Sequence, residues 1–71
     1  MADRNLYGVL GVSPSASQEQ IRTQYRVLVK KYHPDLHPGD TNAAHMMEQV
    51  NAAYDIVGNL EERRQYDAEI S

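Results

Sequence analysis

The sequence predicts an all-α fold of four helices, in which two long helices form an antiparallel hairpin and a short helix flanks it on either side. Three observations carry this. Two stretches, Gln18–Tyr32 and Asn42–Val57, repeat apolar residues at spacings of three and four. Between them lies a polar segment containing Pro34, Pro38 and Gly39. No stretch sustains the period-two alternation of β-branched residues that a strand requires.

Taken in order, Asn5–Leu10 is a candidate short helix, with Asn5 or Asp3 as its N-cap and Gly11 as the left-handed residue that closes it. Leu6, Val9 and Leu10 share one face. Gly8 weakens this helix by about 1 kcal/mol relative to Ala, so tertiary contacts must hold it. Ser13-Pro14-Ser15-Ala16 reads as a turn. Ser17 with Gln20 three residues later is a capping box that opens the second helix. Its apolar stripe is Ile21, Tyr25, Leu28 and Tyr32, and Arg22, Arg26 and Lys30 form a separate cationic stripe turned away from it. Pro34 lacks an N–H and drives His33 out of the helical region, so Tyr32 is the last helical residue. Asp40 or Thr41 caps the third helix, whose stripe is Ala43, Met47, Val50, Tyr54 and Val57, with Ala53 beside it. Two helices of similar length across a loop of about eight residues pack most simply as a hairpin. Gly58 terminates the third helix. Asn59 and Glu62 form a second capping box, opening a fourth helix through Ala68 or Glu69 with Tyr66 as its inward anchor.

Seventy-one residues fit a single domain, read here as residues 1–71 with its core at about 5–69. Such a domain buries only about 60% of its unfolded surface, so its stability is modest. There is no cysteine, hence no disulfide and no thiolate metal site. No apolar run approaches the roughly 20 residues of a membrane span, and the Met1 end, with Asp3 and Arg4, does not read as a signal peptide. The expected location is cytoplasmic. The net charge of -3 is unevenly spread. Residues 17–32 hold four bases against Glu19, a net +3, while the remainder holds three bases against nine acids, a net -6. The basic helix asks for an acidic partner surface.

Read from the residues alone, Asp35 is either a carboxylate capping its own loop or one displayed for a partner. The basic stripe is either a solvated face or a docking face. His33, Asp35, His37 and His45 are all potential zinc ligands, but their spacing matches no closed structural site and no metal is expected. Nor is a catalytic centre: there is no phosphate-cradling glycine loop, and no nucleophile accompanies His33. The chain is acidic overall and its basic face carries no interleaved aromatics, so no nucleic acid is expected to bind.

Five blocks of residues carry a resemblance. Leu6-Tyr7-Gly8-Val9-Leu10-Gly11-Val12 comes first, then Ile21-Arg22 with Tyr25-Arg26 and Leu28, then Tyr32-His33-Pro34-Asp35. Val50, Ala53-Tyr54 and Ile56 follow, and Arg63 with Tyr66-Asp67 closes the set. In this order and register, from Leu6 to Asp67, they resemble the J-domain family, the DnaJ-type co-chaperones.

The resemblance implies a four-helix J-domain, without cofactor or enzymatic activity, that acts as a monomer. It implies binding to a heat-shock-70 chaperone of the DnaK type and stimulation of its ATP hydrolysis, so that the partner clamps onto client polypeptide. His33, Pro34 and Asp35 would engage the partner, and Arg22, Arg26, Lys30 and Lys31 would form the docking face beside them. Two positions depart from the family pattern: Val27 stands where a second basic residue is common, and Met47 where phenylalanine is usual. Val27 keeps open an alternative, a J-like adaptor that recruits another protein without stimulating a chaperone. The stretches that usually continue such proteins, rich in glycine and phenylalanine, zinc-binding or client-binding, are not found in these residues. The chain is therefore read as a fragment or as a small independent J-protein.

Overall fold

The computed structural model describes residues 5–70, so the proposed cap Asp3 lies outside the described residues. Four helices follow in order: α1 (Leu6–Leu10), α2 (Gln18–Tyr32), α3 (Thr41–Val57) and α4 (Leu60–Ile70). Local chemistry sets most of the boundaries. Asn5 Oδ1 accepts from the Gly8 N–H at 2.9 Å to start α1. Gly11 ends it at φ 75°, a conformation that strains any residue bearing a Cβ. Both halves of the Ser17–Gln20 capping box are formed. Of the two caps proposed for α3, Asp40 is the one used, accepting from the N–H groups of Asn42 and Ala43. Asn59 Oδ1 accepts from the Glu62 N–H at 3.1 Å at the start of α4, which runs to Ile70, slightly beyond the predicted end.

Gly58 terminates α3 for a different reason from Gly11. Its φ is -77°, accessible to any residue. What demands glycine is space: a Cβ there would lie 2.5 Å from the Tyr54 carbonyl oxygen and 2.7 Å from its ring.

The pairing of α2 with α3 is antiparallel. Gln18 at the start of α2 donates to the carbonyl of Val57 at the end of α3, at 3.1 Å. Further along, Tyr25 stacks on Tyr54 with ring centroids 3.9 Å apart, and its hydroxyl donates to Asn51 Oδ1. Then α1 and α4 close over the end remote from the loop. The Leu6 N–H donates to Tyr66 Oη at 3.0 Å, and the Tyr7 and Tyr66 rings meet at 5.8 Å.

That placement corrects the expected core. The largest fully buried side chains are Tyr7, Leu10, Ile21, Val50 and Val57, where α1 and α4 pack against the hairpin; the small side chains of Ala53 beside them and Ala43 at the loop end are buried as well. Tyr25, Leu28, Tyr32, Met47 and Tyr54, predicted as core, are only partly buried. Leu28, Tyr32 and Met47 lie toward the loop, where α2 and α3 have only each other to pack against, whereas Tyr54 sits between the fully buried Val50 and Val57 with its ring stacked on that of Tyr25. The energetic consequence is testable. Ile21→Ala is expected to cost roughly 2–5 kcal/mol, whereas Leu28→Ala should cost roughly 1–2 kcal/mol because water reaches the vacated space. Equal losses in urea denaturation would mean that the loop end is packed as tightly as the core.

One charged side chain packs at the edge of this interior. Arg63 of α4 is 12% exposed and points into the turn between α1 and α2. Its Nη2 donates to the carbonyls of Pro14 (3.0 Å) and Ala16 (2.6 Å), its Nη1 to Gln18 Oε1, and its Nε to Tyr7 Oη (3.0 Å). The Tyr7 hydroxyl in turn donates to Asp67 Oδ1 at 2.5 Å. Burial raises the pKa of the Tyr7 phenol, and donation to Asp67 raises it further against the opposing pull of Arg63, so the phenol keeps the proton it donates.

Candidate functional site: the His33-Pro34-Asp35 loop and the basic face of α2

The loop begins as the proline rule demands. His33 leaves the helix at φ -60°, ψ 135°. Two overlapping turns follow, with the Leu36 N–H donating to His33 O (2.9 Å) and the His37 N–H to Pro34 O (3.3 Å). A third is closed by the Asp40 N–H on His37 O at 3.1 Å. Pro38 in its second position and Gly39 at φ 77° in its third give the pattern of a type II turn.

Within this frame His33 shapes the backbone. Its Nδ1 accepts from the Asp35 N–H at 3.1 Å. An accepting Nδ1 carries no proton, so the 3.6 Å approach of Asp35 Oδ2 to the same atom is proximity and not an ion pair. The Asp35 side chain is 88% exposed and projects its carboxylate into solvent. Leu36 beside it is 65% exposed.

The sequence reading weighed His37 only as a metal ligand, and missed what it does. Its Nε2 lies 2.7 Å from the carbonyl oxygen of Lys31, in the last turn of α2. The available clue was general: the last carbonyls of a helix need donors, and a histidine a few residues on can supply one. Among the described residues no three His, Cys, Asp or Glu side chains are grouped to hold a metal ion.

Arg22, Arg26, Lys30 and Lys31 are all exposed. Arg22, Arg26 and Lys30 lie on one face, about 12 Å from first to last at 1.5 Å per residue, in a line that leads toward the loop. Among the described residues no carboxylate pairs with Arg22, Arg26 or Lys30, while the Lys31 ammonium sits 5.4 Å from the centre of the Tyr32 ring. Lys30 and Lys31 also occupy the last turn of α2, where positive charge offsets the helix dipole. Val27, 52% exposed, interrupts this surface with an apolar side chain.

Comparison with known protein families matches residues 5–67 to the DnaJ domain. The chain belongs to the DnaJ domain family. The chaperone protein DnaJ of Orientia tsutsugamushi (strain Boryong) is 52% identical over 67 residues, covering 94% of this chain and 18% of that protein. Chaperone protein DnaJ of Finegoldia magna is 45% identical over 64 residues, covering 90% and 17%. This J-domain thus spans less than a fifth of the length of these relatives. Among solved structures, the J-domain of a mouse DnaJ-like protein superposes with a TM-score of 0.88 at 27% identity, over 100% of this chain and 82% of that one. The J-Trx1 fragment of ERdj5 gives 0.83 at 38% identity, over 90% and 32%. The all-α J-domain fold is therefore the fold of this chain. J-domains as a class partner with heat-shock-70 chaperones of the DnaK type, and theirs is not a family of catalytic enzymes. Among the described residues no helix is long and apolar enough to cross a membrane.

Proposed function

We propose that this J-domain binds a heat-shock-70 chaperone of the DnaK type and stimulates its ATP hydrolysis, promoting capture and folding of client polypeptide. The contact is made by His33, Pro34 and Asp35 together with Arg22, Arg26, Lys30 and Lys31. The observation that carries this reading is the exposed Asp35 carboxylate on a loop whose local shape is set by Pro34, His33 Nδ1 and two turns. A carboxylate held this way loses little entropy on docking and is suited to a partner arginine. The domain supplies no chemistry of its own. It acts by binding the hydrolysis-competent state of the partner more tightly than the resting state, which shifts that equilibrium. In this reading it works as a cytoplasmic monomer without nucleic acid. The direct test is single-turnover ATP hydrolysis by a DnaK-type chaperone with and without the domain. Unchanged hydrolysis would favour the adaptor reading.

Two further outcomes follow from the basic face. Binding should weaken with salt, with association about tenfold or more slower at high than at low ionic strength, because steering is screened beyond about 8 Å at physiological salt. An association rate independent of salt would reduce the face to a solvated surface. Val27→Arg should leave stability within about 0.5 kcal/mol of the parent, as ordinary surface substitutions do, and should speed association with a general DnaK-type chaperone at low salt. Weaker binding to cognate and non-cognate chaperones alike, with the fold intact, would remove electrostatics as the account of this face.

A further inference from the structure

The geometry points to His37 as the positioning residue that ties the Asp35 loop to α2 and so presents the carboxylate in its docking orientation. The inference rests on the proposed reading of this loop as the chaperone contact. The two turns that fold residues 33–37 are local, and neither reaches back to the helix body: their donors, Leu36 and His37, and their acceptors, His33 and Pro34, all lie within the loop. The side chain of His37 does reach back. Its Nε2 contacts the Lys31 carbonyl oxygen at 2.7 Å, inside the last turn of α2. A carbonyl can only accept, so Nε2 carries the proton and donates. The bond closes a ring of chain from Lys31 to His37, with His33, Pro34 and Asp35 inside it, and closing so short a loop removes most of its alternative conformations.

The other side of the ring faces α3. Nδ1 lies 3.9 Å from Asp40 Oδ2, too far for a hydrogen bond, while Asp40 Oδ1 caps the first turn of α3. The turn through Pro38 and Gly39 fixes the backbone of His37 against that cap. His37 therefore sits where the end of α2 and the start of α3 meet, and it is 40% exposed, outside the hydrophobic core. Its removal should loosen the loop without unfolding the domain.

Releasing the tie lowers the fraction of molecules whose loop is ready to dock. Apparent affinity falls by that fraction, while the docked complex, once formed, is the same. The expected effect of His37→Leu is a rise of about three- to tenfold in the concentration giving half-maximal ATPase stimulation, the worth of one ordinary hydrogen bond, with maximal stimulation retained at saturation. His37→Gln places an amide donor at a reach close to that of Nε2 and should restore the parent value to within about twofold.

The test pairs this assay with a readout that involves no chaperone: 15N relaxation of the Asp35 and Leu36 amides in the parent, His37→Leu and His37→Gln domains, at matched melting temperatures. Greater fast motion in the leucine variant, reversed in the glutamine variant, is the expected result. Identical relaxation in all three, or a glutamine variant as mobile as the leucine one, overturns the role given to His37. If the parent domain stimulates no chaperone, the proposed function falls, and the relaxation comparison still decides whether His37 holds the loop.

Discussion

Asp35→Asn is expected to abolish stimulation of the chaperone's ATPase at concentrations where the parent saturates, with the melting temperature unchanged. The substitution keeps size and shape and removes one charge. Nothing in the fold depends on that charge: the side chain is 88% exposed, and the residue's structural bond runs from its backbone N–H to His33 Nδ1, which asparagine retains. Stability should therefore stay within about 0.5 kcal/mol. Docking is another matter. Truncating one side of a desolvated charge pair costs about 2–5 kcal/mol, much of it the penalty of leaving the partner's cation unpaired. At about 1.4 kcal/mol per decade, that is a loss of some thirtyfold or more. The measurement is single-turnover hydrolysis across a concentration series, beside thermal denaturation of both variants. Full stimulation by the asparagine variant at parent concentrations would end the assignment of Asp35 as the contact residue.

The elements that were legible in the sequence are those set by rules acting over a few residues. Pro34 fixed the end of α2 at Tyr32, Ser17 and Gln20 fixed its start, and Gly11 closed α1. The exposure of Arg22, Arg26 and Lys30 followed from their spacing against Ile21. The position of the core did not follow. Periodicity names the apolar face of a helix but not which length of that face a third element will cover. Leu28 thus looks equivalent to Ile21 until α1 and α4 are placed at one end. The demand for glycine at position 58 was hidden for a different reason, because it comes from how closely the carbonyl and ring of Tyr54 approach the helix end. At the candidate site, display of Asp35 was readable from Pro34, whereas the tie from His37 depends on how the loop folds back on α2. Arg63 is the extreme case. It entered the reading only through the resemblance, since its acceptors lie 45 to 56 residues away in sequence, where no local rule reaches.

Arg63 is also where a large loss of stability is expected. Arg63→Ala should destabilise the domain by about 2–4 kcal/mol, as several charge-assisted hydrogen bonds at a partly shielded site are lost together. Three kinds of partner are stranded at once. The carbonyls of Pro14 and Ala16 lose their common donor, Gln18 Oε1 loses its own, and the Tyr7 hydroxyl loses the Nε–H that it accepts. The cation also lies 5.3 Å from the centre of the Tyr7 ring, a contact that disappears with it. These partners sit on the α1–α2 turn and at the start of α2, while Arg63 sits on α4, so the guanidinium joins chain segments that hydrophobic contact alone would leave free to slide. A 71-residue domain commands only about 4–10 kcal/mol in total, so the alanine variant should be largely unfolded at modest urea concentrations. Arg63→Lys separates charge from geometry. Lysine keeps the positive charge near Asp67, but its three donors radiate from one nitrogen and cannot span four acceptors fixed around a planar fork. We expect it to lose about 1–3 kcal/mol, clearly less than alanine, with hydrogen exchange accelerated first in α1 and in the turn that follows. A lysine variant as stable as the parent in urea would show that charge alone suffices there, and that the planar fork contributes nothing to holding α4 against the α1–α2 turn.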